Sequence, residues 1–200
     1  LTSTGKLQTA SGSNTLGGTV TNPVGGIIQV GNNTNLTLLA SGNYTNNGNL
    51  NLASIGNLTD LIFSGGDVTL NGSGTLTLSN YTTNRLSGGL STDRLINFNT
   101  IRGSGQVGLN LLGLVNYGLV EANQSQPLIV DPSGTGAIND GTLRATNNAT
   151  LTLQGGTFVN AGGLIDAQTG SVVQLFSATV TGGDVTIASG GVLQLNNSTL

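Results

Sequence analysis

A short motif, Asn-x-[Gly/Asn]-x-apolar, recurs along this chain and constrains its fold more than any other feature of the sequence. Its five copies begin at Asn46, Asn97, Asn116, Asn139 and Asn160. Residues 64–70 and 181–187 form a further repeat, with five consecutive identical residues. From Asn97 onward the motif recurs every roughly 19–23 residues, and a slightly variable period of this length is typical of a solenoid, whose turns tolerate loops of different length.

Within each repeat, apolar and polar residues alternate with a period of two. Residues 75–78 read Thr-Leu-Thr-Leu, and residues 49–52, 150–153, 184–187 and 192–195 alternate in the same way. Such segments are short strands with one apolar and one polar face. Glycines punctuate them where the backbone must turn. No stretch of ten residues shows a helical stripe, so the sequence predicts an all-β fold with almost no helix.

Equivalent residues recur at a nearly constant spacing along the chain. This favours a solenoid over a β-sandwich, because each residue of a solenoid stacks above its counterpart in the preceding coil. We therefore predict a single-stranded parallel β-helix, right-handed because parallel crossover connections overwhelmingly are. The 200 residues would form about 9–10 coils of roughly 19–23 residues. Leu, Ile and Val would fill the interior. Its bulky side chains would be Phe63, Phe98, Phe158 and Phe176.

The composition excludes much chemistry. The chain has five Lys and Arg, eight Asp and Glu, and no His, Cys, Met or Trp. It therefore offers no disulfide, no ordinary zinc or haem site, no thiol nucleophile and no Ser-His-Asp triad, and we predict no cofactor and no metal. A net charge of −3 lacks the basic surface that nucleic-acid binding requires. Because the acids are spread singly along the chain, we also predict that the protein is not an enzyme.

Alignment of the repeats on the motif asparagine predicts a column of charges. Shortly after the asparagine of successive repeats stand Arg102, Glu121, Arg144 and Asp166. On successive coils these residues would form a structural ladder of alternating sign, in which unlike neighbours attract modestly. The alternative, that Glu121 and Asp166 are paired catalytic carboxylates, is disfavoured because Arg144 would lie between them.

The motif asparagines themselves are predicted to stack. A ladder of Asn46, Asn97, Asn116, Asn139 and Asn160 would bond each side-chain amide to the turn of the next coil. A ligand-binding role for these residues is the alternative.

Residues 80–94 interrupt the alternation and are a candidate loop insertion between two coils. This interval carries Tyr81, Arg85, Asp93 and Arg94, three of them charged. We predict a longer, solvated loop. The alternative is a protruding contact loop, since loops on a rigid scaffold commonly carry binding residues.

Three runs resemble the Gly-, Asn- and Thr-rich repeats of large bacterial surface and secreted proteins. They are residues 95–108, 130–136 and 158–167. The resemblance is to autotransporter passengers and filamentous-haemagglutinin-like adhesins, and it implies a right-handed parallel β-helix outside the cell. It further implies a role in adhesion, in aggregation or as a stalk. The lack of cysteine agrees with it, because such passengers cross the outer membrane unfolded.

The sequence thus predicts a structural or adhesive segment of a large extracellular or surface-exposed bacterial protein. Neither end carries a polar cap, so we expect residues 1–200 to be one continuous solenoid segment cut from a longer chain. Its expected partners are glycans, a host or neighbouring-cell surface, or other copies of itself. We expect no nucleic-acid partner and no membrane insertion by this segment.

Two further functions stay open. The first is a polysaccharide-binding or polysaccharide-degrading β-helix domain, of which the degrading form needs clustered carboxylates. The second is an ice-binding solenoid, which needs Thr-x-Thr pairs on consecutive coils. Four such pairs occur, beginning at Thr19, Thr75, Thr150 and Thr179.

Overall fold

The chain folds into a parallel β-solenoid with three sheets. The computed structural model describes residues 1–2 and 4–200, which form 26 strands and no helix. Every third strand along the chain joins the same sheet, and all pairings are parallel, so each coil except the last contributes one strand to each sheet. The predicted all-β parallel β-helix with about nine coils is therefore confirmed.

The strands are numbered in chain order and sort into sheets of nine, nine and eight members. The first sheet contains β1 (Lys6–Gln8), β4 (Ile27–Gly31), β7 (Asn49–Ala53), β10 (Thr75–Leu78), β13 (Thr100–Gly103), β16 (Leu119–Ala122), β19 (Thr142–Ala145), β22 (Leu164–Ala167) and β25 (Asp184–Ile187). The second contains β2 (Ser13–Leu16), β5 (Asn35–Leu39), β8 (Thr59–Ser64), β11 (Asn84–Gly88), β14 (Gly105–Gly108), β17 (Leu128–Val130), β20 (Thr150–Gln154), β23 (Val172–Phe176) and β26 (Val192–Asn196). The third contains β3 (Thr19–Asn22), β6 (Asn43–Asn46), β9 (Asp67–Asn71), β12 (Arg94–Asn97), β15 (Gly113–Asn116), β18 (Ala137–Asn139), β21 (Thr157–Val159) and β24 (Thr179–Thr181).

The length of a coil varies more than the motif spacing indicates. Partners in the first sheet stand at positions 6, 27, 49, 75, 100, 119, 142, 164 and 184. Six of these eight steps fall within the predicted range, but the coils that start at Asn49 and Thr75 are longer. Both have long connections between the first and second sheets, at residues 54–58 and 79–83. A solenoid accepts such variation because extra residues enter the turns and leave the strand register intact.

The prediction of a loop insertion over residues 80–94 is wrong. Residues 84–88 form β11, which pairs in parallel with β8 on one side and β14 on the other. The strand is hard to recognise in the sequence because only Leu86 in it is a large apolar residue. The interval nevertheless belongs to one of the two long coils, whose additional residues form short turns on either side of β11.

The core is a column of aliphatic side chains between the three sheets. Alternate residues of nearly every strand are buried, as the period of two predicts. Phe63 and Phe158 lie in this column and are fully buried, as expected. Phe98 and Phe176 do not: they are 45% and 48% exposed. Each directly follows an inward-facing residue, Asn97 or Leu175, so the alternation turns it outward.

Candidate functional site

Seven buried asparagines form a continuous hydrogen-bonded ladder at the turn between the third and first sheets. The five predicted members all belong to it, and Asn22 and Asn99 complete it. Five of the side-chain amides donate to the side-chain oxygen of a later member at 2.7–2.9 Å, in the pairs Asn22 to Asn46, Asn46 to Asn99, Asn97 to Asn116, Asn116 to Asn139, and Asn139 to Asn160.

The ladder crosses one coil that has no asparagine to contribute. Gly72 stands at this level, and the Asn46 amide passes it to reach Asn99, which belongs to the second coil after its own. Gly72 has a φ of +98°, and a Cβ there would clash with the Asn46 carbonyl oxygen. The Asn99 backbone N–H then donates to Asn97 Oδ1 at 3.1 Å, which joins the two halves of the ladder. Only glycine leaves room for this crossing.

The same amides also donate to backbone carbonyl oxygens in and beside the turns. Asn116 Nδ2 also lies 3.2 Å from the Gly118 carbonyl oxygen and 3.3 Å from that of Thr142. Asn99 Nδ2 donates to the carbonyl oxygens of Asn71 and Gly72. Since buried polar groups must be paired, the ladder is what allows the chain to turn inside the core. Its burial favours the structural interpretation over ligand binding.

The predicted column of charges lies on the outer face of the first sheet. Arg102, Glu121, Arg144 and Asp166 are register partners on four successive strands. Within the described residues only one ion pair forms in this column, with Arg144 Nη2 2.9 Å from Glu121 Oε1. Asp166 instead accepts hydrogen bonds from Gln168 and Thr186. Glu121 and Asp166 are therefore two coils apart, about 10 Å along the stack, and Arg144 lies between them.

Each charged residue of the candidate contact loop has a partner within the fold. Arg85 makes a bidentate ion pair with Asp60, with both N–O distances at 2.6 Å. Arg94 makes a bidentate pair with Asp67. Asp93 is 1% exposed, and its carboxylate accepts the backbone N–H groups of Gly66 and Leu90 at 2.7 Å.

Tyr81 is the most exposed of the predicted contact residues, since 43% of it is exposed. It lies in the turn that precedes β11.

Asp131 differs from the other half-buried acids because no cation pairs with it among the described residues. Gln154 Nε2 lies 3.4 Å from its Oδ2. Burial raises the pKa of the Asp131 carboxyl above its ordinary value, and the Gln154 hydrogen bond opposes this in part. Asp67 shows the opposite shift: hydrogen bonds from Arg94 lower its pKa. The repeat pattern in the sequence does not reveal this difference between the pKa values of Asp131 and Asp67, because the difference depends on residues of neighbouring coils.

Two shallow depressions lie side by side on the second sheet, and Asp131 lines one of them. One, of about 410 Å³, lies beside Asp131, Pro132 and Asn110. The other, of about 450 Å³, lies on the sheet face beside Ile129 and Gln174. Gln154 and Phe176 line both depressions.

A second exposed apolar area lies on the third sheet. Phe98 and Tyr117 stack with ring centroids 4.9 Å apart and planes 16° from parallel. Beside them, Ile138 and Val159 are register partners on adjacent strands, and both are exposed. Each ring therefore covers one face of the other, and both residues stay about half exposed.

The Thr-x-Thr pairs do not form a rank. The pairs that begin at Thr19 and Thr179 lie on the third sheet but at its opposite ends, whereas those at Thr75 and Thr150 lie on the first and second sheets. These four pairs therefore never occupy consecutive coils of one outer face.

Residues 1–2 and 4–200 contain no group of three or more acidic side chains that could hold a metal ion. The same residues include no helix long and apolar enough to span a membrane. No known protein family, curated protein or solved structure matches the chain.

Replacing Asn116 with alanine should break the asparagine ladder at its centre. The Asn139 side-chain oxygen would lose its donor, and the Asn97 amide would lose one acceptor. We expect a loss of about 1–3 kcal/mol in the free energy of unfolding, the cost of leaving buried polar groups unpaired. The control is Asn49→Ala in β7, which removes an exposed side chain and should cost less than about 0.5 kcal/mol. Urea unfolding measures both, and equal losses would contradict the ladder's role.

Substitutions at Asp131 and Asp67 should change stability in opposite directions at pH 7. The folded-state pKa of Asp131 lies above the ordinary 3.8, so ionisation costs stability at higher pH and Asp131→Asn should raise the melting temperature. The stability gain of the Asp131→Asn variant should vanish below pH 3.8, where the Asp131 carboxyl is neutral in both the folded and the unfolded state. The folded-state pKa of Asp67 lies below 3.8, so its contribution is present above that pH and is lost as the pH falls through the folded-state pKa. Asp67→Asn should therefore lower the melting temperature slightly at pH 7. Shifts of the same sign would contradict these assignments.

Proposed function

We propose that this chain is a structural and adhesive segment of a large secreted or surface-exposed bacterial protein, and that it has no catalytic activity. The observation that carries the proposal is the uninterrupted stack of about nine coils, joined over its whole length by three continuous parallel sheets. At about 4.8 Å per coil such a stack is a rod roughly 40 Å long. A rod of this kind suits a stalk and offers long outer faces for weak, repeated contacts.

The location and the adhesive role are supported by the resemblance of residues 95–108, 130–136 and 158–167 to adhesin repeats. The absence of cysteine agrees with secretion of the unfolded chain. The composition of the outer faces, rich in Thr, Asn and Gln, supplies hydrogen-bonding groups without a strong field of either sign.

The proposed lack of catalysis rests on what the acids do. Asp60, Asp67 and Glu121 pair with arginines, and Asp93 holds a turn. Glycoside hydrolysis needs two carboxyl groups within about 5–9.5 Å on either side of a bond. Arg144 lies between Glu121 and Asp166, the acids that share a column.

Of the two alternatives, polysaccharide binding has a specific observation in its favour, the depressions beside Asp131 and Phe176. Ice binding has none, because the Thr-x-Thr pairs are divided among three sheets.

Display of the chain on beads tests the proposed function. Beads that carry the folded chain should aggregate, or adhere to a layer of epithelial or bacterial cells, more than beads coated with albumin. Leu76→Asp places a charge in the fully buried core and should abolish this adhesion by unfolding the coils. Its matched control, Thr77→Asp, adds the same charge to the outer face of the same strand and should leave adhesion unchanged.

Adhesion no greater than that of albumin beads would contradict the proposal. Equal adhesion by the Leu76→Asp variant would contradict a role for the folded surface.

A further inference from the structure

The outer face of the second sheet carries a ladder of polar side chains over its later coils. Ile129, Thr152, Gln174 and Gln194 are register partners in one column. In the neighbouring column Gln154 pairs with Phe176, and Phe176 with Asn196. Asp131 extends this column by its contact with Gln154. In the first column Thr152, Gln174 and Gln194 follow one another at about 4.8 Å, the distance between parallel strands. In the second column Phe176 stands between two amides.

Phe176 stands at the centre of this face. It is 48% exposed and lines both depressions together with Gln154. Unlike Phe98, it has no aromatic ring stacked on it among the described residues. Its ring therefore offers an apolar surface beside hydrogen-bonding groups.

The backbone around Asp131 keeps its carboxylate open. Gly155 and Gly156 have φ values of +62° and +61°, and a Cβ at Gly155 would lie 3.2 Å from Asp131 Oδ1. On the other side, Leu109 and Asn110 both have left-handed backbones, with φ of 53° and 54°. Asn147 and Asn148 form a second consecutive left-handed pair elsewhere in the chain, so this conformation belongs to the turns of the solenoid.

We propose that this face binds an extended, neutral polysaccharide, with the C–H face of one sugar against Phe176 and hydroxyl groups bonded to Asp131, Gln154 and Gln174. The inference rests on the proposed adhesive function and assigns it a ligand class and a site. A pyranose ring has an apolar C–H face and a rim of hydroxyl groups. The protein face has a matching arrangement, because the apolar ring of Phe176 lies beside hydrogen-bonding side chains. A polymer of such units also matches a protein surface that repeats along one axis.

The charge of the face favours a neutral polymer over an anionic one. Asp131 lines the first depression, and no other charged residue lines either of them. A uronic-acid or sulfated chain would meet a carboxylate without an arginine or lysine to offset it, and like charges repel.

Affinity electrophoresis tests the proposal with defined polymers. The chain is run in native gels that contain hydroxyethylcellulose, laminarin or yeast mannan, which are neutral, or alginate, which is anionic. We expect retardation by at least one neutral polymer and none by alginate. Phe176→Ala should weaken the binding by about tenfold or more, the loss expected when an aromatic stacking surface is removed.

Phe98→Ala is the matched control. It removes the same side chain at nearly the same exposure, 45% against 48%, from a turn after the third sheet, and it should leave the retardation unchanged. Gln154→Ala provides a second variant at the site, with an expected loss in the same direction. Circular dichroism and melting temperature verify that each variant is folded.

Three results would overturn the inference: no retardation by any neutral polymer, retardation by alginate alone, or equal effects of Phe176→Ala and Phe98→Ala. The bead experiment separates these from failure of the proposed function. Suppose that the parent chain binds no polysaccharide and that beads carrying Phe176→Ala adhere to cells as strongly as beads carrying the parent. This result would leave the adhesive function standing and exclude this site.

Discussion

Parallel pairing between equivalent residues of successive coils is the constraint on which the rest of this structure depends. Each side chain has a counterpart about 4.8 Å above and below it, so a favourable or unfavourable contact recurs wherever like residues stack. Charges are tolerated in opposite pairs such as Arg144 with Glu121. Aromatic rings stack, as Phe98 does on Tyr117. Asparagine stacks on itself in the buried ladder because its amide is both donor and acceptor.

Much of this follows from two periods in the sequence. The period of two identifies the strands, and the spacing of the motif asparagines brings Arg102, Glu121, Arg144 and Asp166 into register. The remainder depends on local shifts that a repeat motif does not reveal. The position of Asn99 in the ladder requires the chain to pass Gly72, and a displacement of one residue along a strand turns a phenylalanine from core to surface.

The same distinction applies to function. A repeat motif describes what all coils share, whereas the face around Phe176 combines side chains that differ from coil to coil. Asp131 and Gln154 meet only because their coils are adjacent. The asparagine ladder and the ion pairs occupy the polar groups that hold the fold. On the outer face of the second sheet the polar side chains also bond to one another, as Thr152 does to Gln174 and Gln154 to Asp131, and the half-exposed ring of Phe176 lies among them.

Cysteine cross-linking tests the coil register most directly, because the chain has no cysteine of its own. Asn51 and Thr77 are partners on adjacent coils, and their expected Cα separation of about 4.8 Å permits a disulfide. Asn71 is nearer to Asn51 along the chain than Thr77 is, but it lies on a different sheet. Under mild oxidation, the double variant Asn51→Cys with Thr77→Cys should form an intramolecular disulfide, and Asn51→Cys with Asn71→Cys should not. A disulfide in the second variant and none in the first would contradict the register and the account built on it.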